Sequence, residues 1–339
     1  MTVLVLPVLL TLTVVAGATL APRLLRHASP ALARMPRFAV TLWTASVIGW
    51  VLAVLAVGPM LTWMMSGPAV LTGAAGEFCQ RCLDLSNPLT GPILHTPVPA
   101  LGFLALPALA GLALATSAIR AARRERAATR ATARRLLADA TADKLQGYHV
   151  WHVESRQRFA AAFPRRTGIV VSSGAVAALS PRELAAVLAH EQAHLHQHHH
   201  AIRTFLNALA VPLKWVPLVA AASDVVPHYL EISADDAARH RVGTTTLASA
   251  LLKLGGAVPI FAQTNTSPGD TGSPASPTDA SPTVLNATGP DRIRHLVAPA
   301  HPGASAGSAS VSVLFLGTIT LISAIVYLPY LRAFVTGCA

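Results

Sequence analysis

The chain reads as a mainly α membrane protein, a set of spanning helices with one α+β domain inserted before the last of them. Three observations predict this class. Of the 339 residues 53% are apolar and 12% charged, where a soluble domain carries roughly 25% charge. Four apolar stretches reach the about 20 residues that a bilayer crossing needs. Arginines gather beside those stretches on alternate connections. The same balance excludes a disordered chain, a coiled coil and a simple soluble enzyme.

The expected spans are 2–21, 38–65, 99–119 and 311–331. The first resembles a secretion signal in Ala16-Gly17-Ala18. No basic residue precedes it, however, and Arg23 and Arg26 follow at once. That is the reverse of a signal's charge order, so an uncleaved anchor is expected. The next connection also holds Arg34 and Arg37, whereas the one after the second span has only Arg81. After the third span come Arg120, Arg123, Arg124, Arg126, Arg130, Arg134 and Arg135. The positive-inside rule then places both termini outside and the region from about Arg120 to Gly307 inside. The domains follow: 1–119 with three spans, 120–263 as an inner α+β domain, 264–310 as a linker dense in Ser, Thr, Pro and Gly, and 311–339 with the last span and a short outer tail.

The net charge of +11 reads the same way. Lys144, Lys214 and Lys253 are the only lysines, and the arginines beside apolar runs suit anionic lipid. With few interleaved aromatics, no direct nucleic-acid partner is expected. Cys79, Cys82 and Cys338 all fall on the expected outer side, where an oxidising space favours a disulfide. Cys79 with Cys82 is the candidate pair, although which two of the three join stays open. No second CxxC supports a zinc knuckle, and no βαβ context supports a redox site.

In the inner region, strands are expected at His149–Val153 and Gly168–Ser172, the second rich in β-branched residues. Ser180, Pro181 and Glu183 form a helix start with a capping box. This helix should run past His194, since no Gly or Pro precedes Pro212. A later helix is expected from just after Pro227 to about Arg241, and another over Thr244–Leu254.

The capped helix carries His190-Glu191-Gln192-Ala193-His194. Residues four apart share a helix face, so His190 and His194 can offer two imidazoles to one Zn²⁺. Glu191 can reach the attacking water as general base without binding the metal. A hydrolytic zinc site needs a third protein ligand and an open position. Glu231 is the natural third ligand. Asp235, one turn on, can accept the free N–H of a ligand histidine and fix its tautomer. The two strands before the helix offer an edge for an extended peptide.

The stretch from about His149 to Leu254, with IVVSSGAVAALSPRELAAVLAHEQAHLHQHH and EISADDAA, resembles integral-membrane gluzincin peptidases, above all the BlaR/MecR-type family. By topology the resemblance covers nearly the whole chain, and by motif about a third. It implies a gluzincin-type zinc peptidase domain in the cytosol of a bacterial-type cell membrane. It also implies one Zn²⁺ per chain, His190, His194 and Glu231 as ligands, and Glu191 as base. The expected activity is endopeptidase cleavage of a cytosolic or membrane-proximal protein, with a transcriptional repressor as substrate or partner. A counterpart of the penicillin-sensing domain of the antibiotic-sensing members is not expected. HtpX-type and Ste-type membrane peptidases share both motifs and imply the alternative of protein quality control. A non-catalytic zinc-binding signalling protein is a further alternative, against which Glu191 speaks.

Between the two motifs, 205–222 is apolar but broken by Pro212, Lys214 and Pro217. A full crossing there would put Glu231 on the opposite side from His190 and His194, so the segment is not expected to span. His196, His198, His199 and His200 read as a solvated helix end, with His198 one turn further along the ligand face. His149, His152, His228, His240 and His295 are unranked candidates for binding the oxyanion. Trp151 and Trp215 suit the bilayer surface or the core.

Overall fold

The computed structural model describes residues 5–68, 70–88, 94–164, 167–254 and 306–336. Two compact units emerge, each built from separate stretches of chain: 1–123 with 205–223 and 302–339, and 124–204 with 224–301.

The first unit is helical. α1 (Val5–Thr19) and α2 (Ala21–His27) meet at a bend of 49°, so the expected first span is a bent pair, either a broken span or a re-entrant loop. Pro22 explains the break, because its ring clashes with the carbonyl four residues back and it has no N–H to donate. After α3 (Ser29–Leu32) comes α4 (Pro36–Thr62), long and apolar enough to cross a membrane. So are α6 (Ala100–Leu137) and the final helix, α12 (Ala306–Val335), over Leu316–Val335. The described residues therefore hold three candidate spans, or four if the bent pair counts as one. α1 and α12 both pack on α4. Leu10, Ala53, Ala56, Met60, Ile319 and Val326 are buried between them. The linker expected at 264–310 lies outside the described residues up to 305; from Ala306 the chain is already helical.

Between α4 and α6 the chain forms a short parallel pair, β1 (Met65–Ser66) with β2 (Leu94–His95), and the helix α5 (Gly73–Ser86). The candidate Cys79–Cys82 disulfide does not form. Cys79 is a free thiol and Cys82 is disulfide-bonded; the one other cysteine, Cys338, lies outside the described residues. Both Cys79 and Cys82 sit inside α5, where Cβ atoms three residues apart are about 5–6 Å from each other. A disulfide needs about 3.5–4.5 Å.

The second unit is built around a four-stranded sheet of order β3-β4-β6-β5. β3 (Thr141–Leu145) and β4 (Tyr148–Val153) form a hairpin, with Leu145 opposite Tyr148. Gln146 and Gly147, at φ 50° and 86°, make the two-residue turn that matches strand twist. β4 runs parallel to β6 (Gly168–Ser172), and β5 (Ala160–Phe163) antiparallel to β6. The two strands the sequence reveals are thus the central ones, already paired on both sides. The edges belong to β3 and β5. TADKL and AAAF lack the β-branched enrichment that marks a strand, which is why they escape a reading from sequence.

Alternation along the strands divides the core in two. Val150, Ile169 and Val171 face α8 (Pro181–His196) and α11 (Thr244–Leu254), packing with Leu184, Val187, Leu188 and Leu247. Trp151, Phe163 and Val170 face the other way, onto Ala133, Leu136 and Leu137 of α6. Trp151 therefore fills core, whereas Trp215, between α9 (His199–Leu213) and α10 (Pro217–Val242), is 78% exposed. Ser172 closes β6 by accepting from the N–H groups of Phe159 and Ala175, the latter capping α7 (Ser173–Ala178).

One helix end meets expectation and one helix start departs from it. The helix that bears His190 and His194 runs past His194, though it stops well short of Pro212. α8 stops at His196, and His198 takes a left-handed φ of 55° before α9 begins. α10 starts ten residues before Pro227 and carries that proline inside it. A proline within a helix forfeits one hydrogen bond and bends it rather than necessarily ending it. Neither α9 nor α10 is among the candidate spans, and 205–223 belongs to the first unit.

Candidate metal centre

α8 owes its start to Ser180. Its Oγ accepts from the Glu183 N–H and its own N–H donates to the Glu183 carboxylate, with Pro181 in the first turn. The buried Glu183 carboxylate also accepts from Ser249 Oγ at 2.6 Å and Lys253 Nζ at 2.7 Å, which pins α11 onto α8. The Lys253 ammonium, with the Ser249 hydroxyl next, pushes the Glu183 pKa down to about 2. Three turns along, this anchored helix presents His190 and His194.

α10 brings the second half. Ile232, Ala234 and Ala238 are buried, which turns Glu231 and Asp235, one turn apart, toward the imidazoles. Glu231 Oε2 is 3.5 Å from His190 Nε2 and Glu231 Oε1 is 3.6 Å from His194 Nε2. The two Nε2 atoms are 3.0 Å apart. Ligand atoms of His190, His194 and Glu231 all lie within 4.8 Å of one another. Among the described residues, this is the one such group of three or more His, Cys, Asp or Glu. His190 is buried, while His194 and Glu231 are partly exposed, so the trio is approachable from one side.

The surrounding bonds set the tautomers. Asp235, 2% exposed, lies 2.9 Å from His190 Nδ1 and accepts its proton, which leaves Nε2 bare. His194 is held by His199, which was expected at a solvated helix end but is buried, 4% exposed. His199 Nδ1 is 2.8 Å from His194 Nδ1, and His199 Nε2 is 3.1 Å from Gln197 Oε1, which also accepts from Ser233 Oγ. Gln197 Oε1 can only accept, so His199 carries its proton on Nε2 and its Nδ1 receives the proton of His194 Nδ1. With both Nδ1 atoms engaged, the two Nε2 atoms converge beside the Glu231 carboxylate, 3.0 Å from each other. The donor set fits Zn²⁺, whose nitrogen and oxygen ligands sit at about 2.0–2.2 Å.

The break after α8 decides which histidine serves. His198 leaves the ligand face at the left-handed turn, and the reversal into α9 swings buried His199 onto His194 instead. Only the helix stop, invisible in a stretch without Gly or Pro, separates these outcomes. Glu191 follows His190 on α8 and is partly exposed. Of the oxyanion candidates, His228 sits one turn before Glu231 on α10, partly buried. His152 lies 3.8 Å from Glu154, His149 and His240 are exposed, and His295 lies outside the described residues.

Comparison with curated proteins and with solved structures finds no match to this chain. Residues 123–228 match the model of peptidase family M48. The matched stretch includes His190, Glu191 and His194 and ends before Glu231 and Asp235, so the carboxylate half of the centre stands on geometry. Over that stretch the chain is similar to peptidase family M48, which supports a metallopeptidase.

Proposed function

We propose that the chain is a membrane-bound, zinc-dependent metalloendopeptidase that hydrolyses peptide bonds of a cytosolic or membrane-proximal protein. One observation carries this reading: the Nε2 atoms of two imidazoles converge with the Glu231 carboxylate at 3.0–3.6 Å. The family match and the candidate spans support it.

His190, His194 and Glu231 would hold one zinc ion per chain, which would supply a Lewis acid for the scissile carbonyl. Asp235 and His199 keep the two imidazoles in the required tautomer and orientation. Glu191 takes a proton from the water that attacks the carbonyl carbon, then delivers it to the leaving nitrogen as the C–N bond breaks. The partly exposed side of the trio admits the peptide. Cytosolic placement of the centre is supported by the arginines that follow the third span. Cleavage of a transcriptional repressor is the substrate reading that the BlaR/MecR-type resemblance suggests.

Glu191→Gln tests the base. Zinc content, read by elemental mass spectrometry, should stay at one per chain while peptide cleavage falls about 10²–10⁴-fold. Cleavage that persists and remains chelator-sensitive would remove Glu191 from the mechanism. Comparing the proteomes of cells carrying the intact chain and this variant should expose a fragment made only by the former. Glu231→Ala should weaken zinc binding in a competition titration with a chelator; unchanged affinity would mean that another group completes the site.

A further inference from the structure

The second half of α6 carries charge that the metal centre does not use. From Arg124 to Leu137 it holds Arg124, Arg126, Arg130, Arg134 and Arg135 against one acid, Glu125. At about 100° per residue these five arginines occupy one half of the helix circumference, and Thr129, Ala133 and Leu136 occupy the other. Burial follows the same division. Ala133 is buried and Leu136 packs with it on the Trp151 and Phe163 face of the sheet, whereas all five arginines are exposed. No ion pair or hydrogen bond joins any of the five guanidinium groups to another described residue. α8 packs on the opposite face of the sheet, and none of the five arginines belongs to the His190, His194 and Glu231 group.

Such a row repels itself, and an anionic partner relieves the repulsion. Lipid headgroups account for Arg120 and Arg123 but not for the far end. The apolar run ends at Ile119, and Arg135 lies about 24 Å further along the helix axis, against a screening length of about 8 Å at physiological ionic strength. Single-stranded nucleic acid calls for aromatic platforms among the charges, and the exposed side of this helix intersperses its arginines with Ala127, Ala128 and Ala131. Carboxylates suit the surface better, since each guanidinium can take one bidentately. The row spans about 17 Å along the axis, which about five extended residues cover.

We propose that this arginine face is an exosite for an acidic segment of the protein substrate, remote from the bond that is cut. The identity of its occupant rests on the peptidase reading; the binding itself does not require turnover.

The test uses the full-length chain in detergent micelles, made inactive by Glu191→Gln, with fluorescent hexaglutamate as probe and hexaglutamine as control. Hexaglutamate should bind and hexaglutamine should not. Replacing Arg124, Arg130, Arg134 and Arg135 together by Gln should weaken binding about tenfold, as four exposed ion pairs predict. Raising salt from about 50 to about 200 mM should weaken it in the unsubstituted chain. Replacing the same four by Lys should retain salt-sensitive binding, which separates charge from misfolding. Equal binding of the two peptides, or hexaglutamate binding indifferent to salt, overturns the exosite. It is overturned equally if the arginines govern binding to phosphatidylserine vesicles or oligothymidine but not to hexaglutamate. In the active chain, one peptide carrying either tail should show a KM about tenfold lower with glutamate and the same kcat. Equal KM values sink the exosite while leaving the peptidase; no cleavage of either tail, with hexaglutamate still bound, sinks the peptidase while leaving the surface.

Discussion

The two units are held together by different means. In the helical unit, hydroxyl groups bond mostly within their own helix: Thr13 to the Leu9 carbonyl, Thr41 to Arg37, Ser46 to Leu42. Bonds between helices run from aromatic side chains to backbone carbonyls, as from Trp50 to Val14 and from Tyr330 to Pro59. Contact is set by small residues. A Cβ on Gly58 of α4 would strike the Phe103 carbonyl and the Pro107 ring of α6. In the metal-centre unit, polar side chains bond across elements instead: Asp235 to His190, Ser233 to Gln197, Lys253 and Ser249 to Glu183. The contrast follows from solvent. A helix meant for lipid must satisfy its backbone internally and gains its neighbours by close packing. The unit outside the spans can desolvate polar groups where each finds a partner, and that is what fixes a ligand sphere to tenths of an ångström.

The largest effect is expected from breaking the first arrangement. Gly58→Leu should destabilise the helical unit by about 3 kcal/mol, the upper range for an overpacked contact, seen as a lower unfolding temperature in detergent. An unchanged temperature would mean that close α4–α6 packing is not what holds that unit. Next comes Asp235→Ala in the polar network. Freed from its acceptor, His190 loses its fixed tautomer, and zinc affinity should fall about 10–100-fold while the helical unit melts as before. If affinity does not change, the buried carboxylate is not what orients the ligand.

The smallest effect is one of pH. The Glu183 carboxyl is held at about 2 in the folded chain against an ordinary 4.5. A carboxylate with a lowered folded pKa contributes stability that is complete above about 4.5 and is lost as pH falls toward 2. Unfolding temperature of the metal-free protein should therefore drop through that window, and by less in Glu183→Gln, which has no such charge to lose. An equal acid slope in the two proteins would show that the Lys253 link does not fasten α11 to α8.

Much of this could be read from residues alone. Capping at Ser180, the histidine pair one turn apart, the carboxylate pair of α10 and the long apolar runs are local patterns, and local geometry obeys them. The edge strands β3 and β5 were not readable, because edge pairing rests on neighbours rather than on β-branched content. The stop after His196 was not readable either, since a non-glycine residue entered the left-handed region. The cysteines illustrate the same limit: spacing suggested Cys79 with Cys82, and helix geometry kept them apart.

The sequence by itself determined that this chain carries helices long and apolar enough to cross a membrane and that two imidazoles stand on one helix face, because hydrophobic length and the 3.6-residue period act over a few neighbouring residues. Tertiary structure decided which histidine supports His194, that Glu231 reaches both Nε2 atoms, and that the arginine half of α6 stays uncovered. Those outcomes depend on where a chain reversal places groups distant in sequence, and no local pattern encodes that reversal.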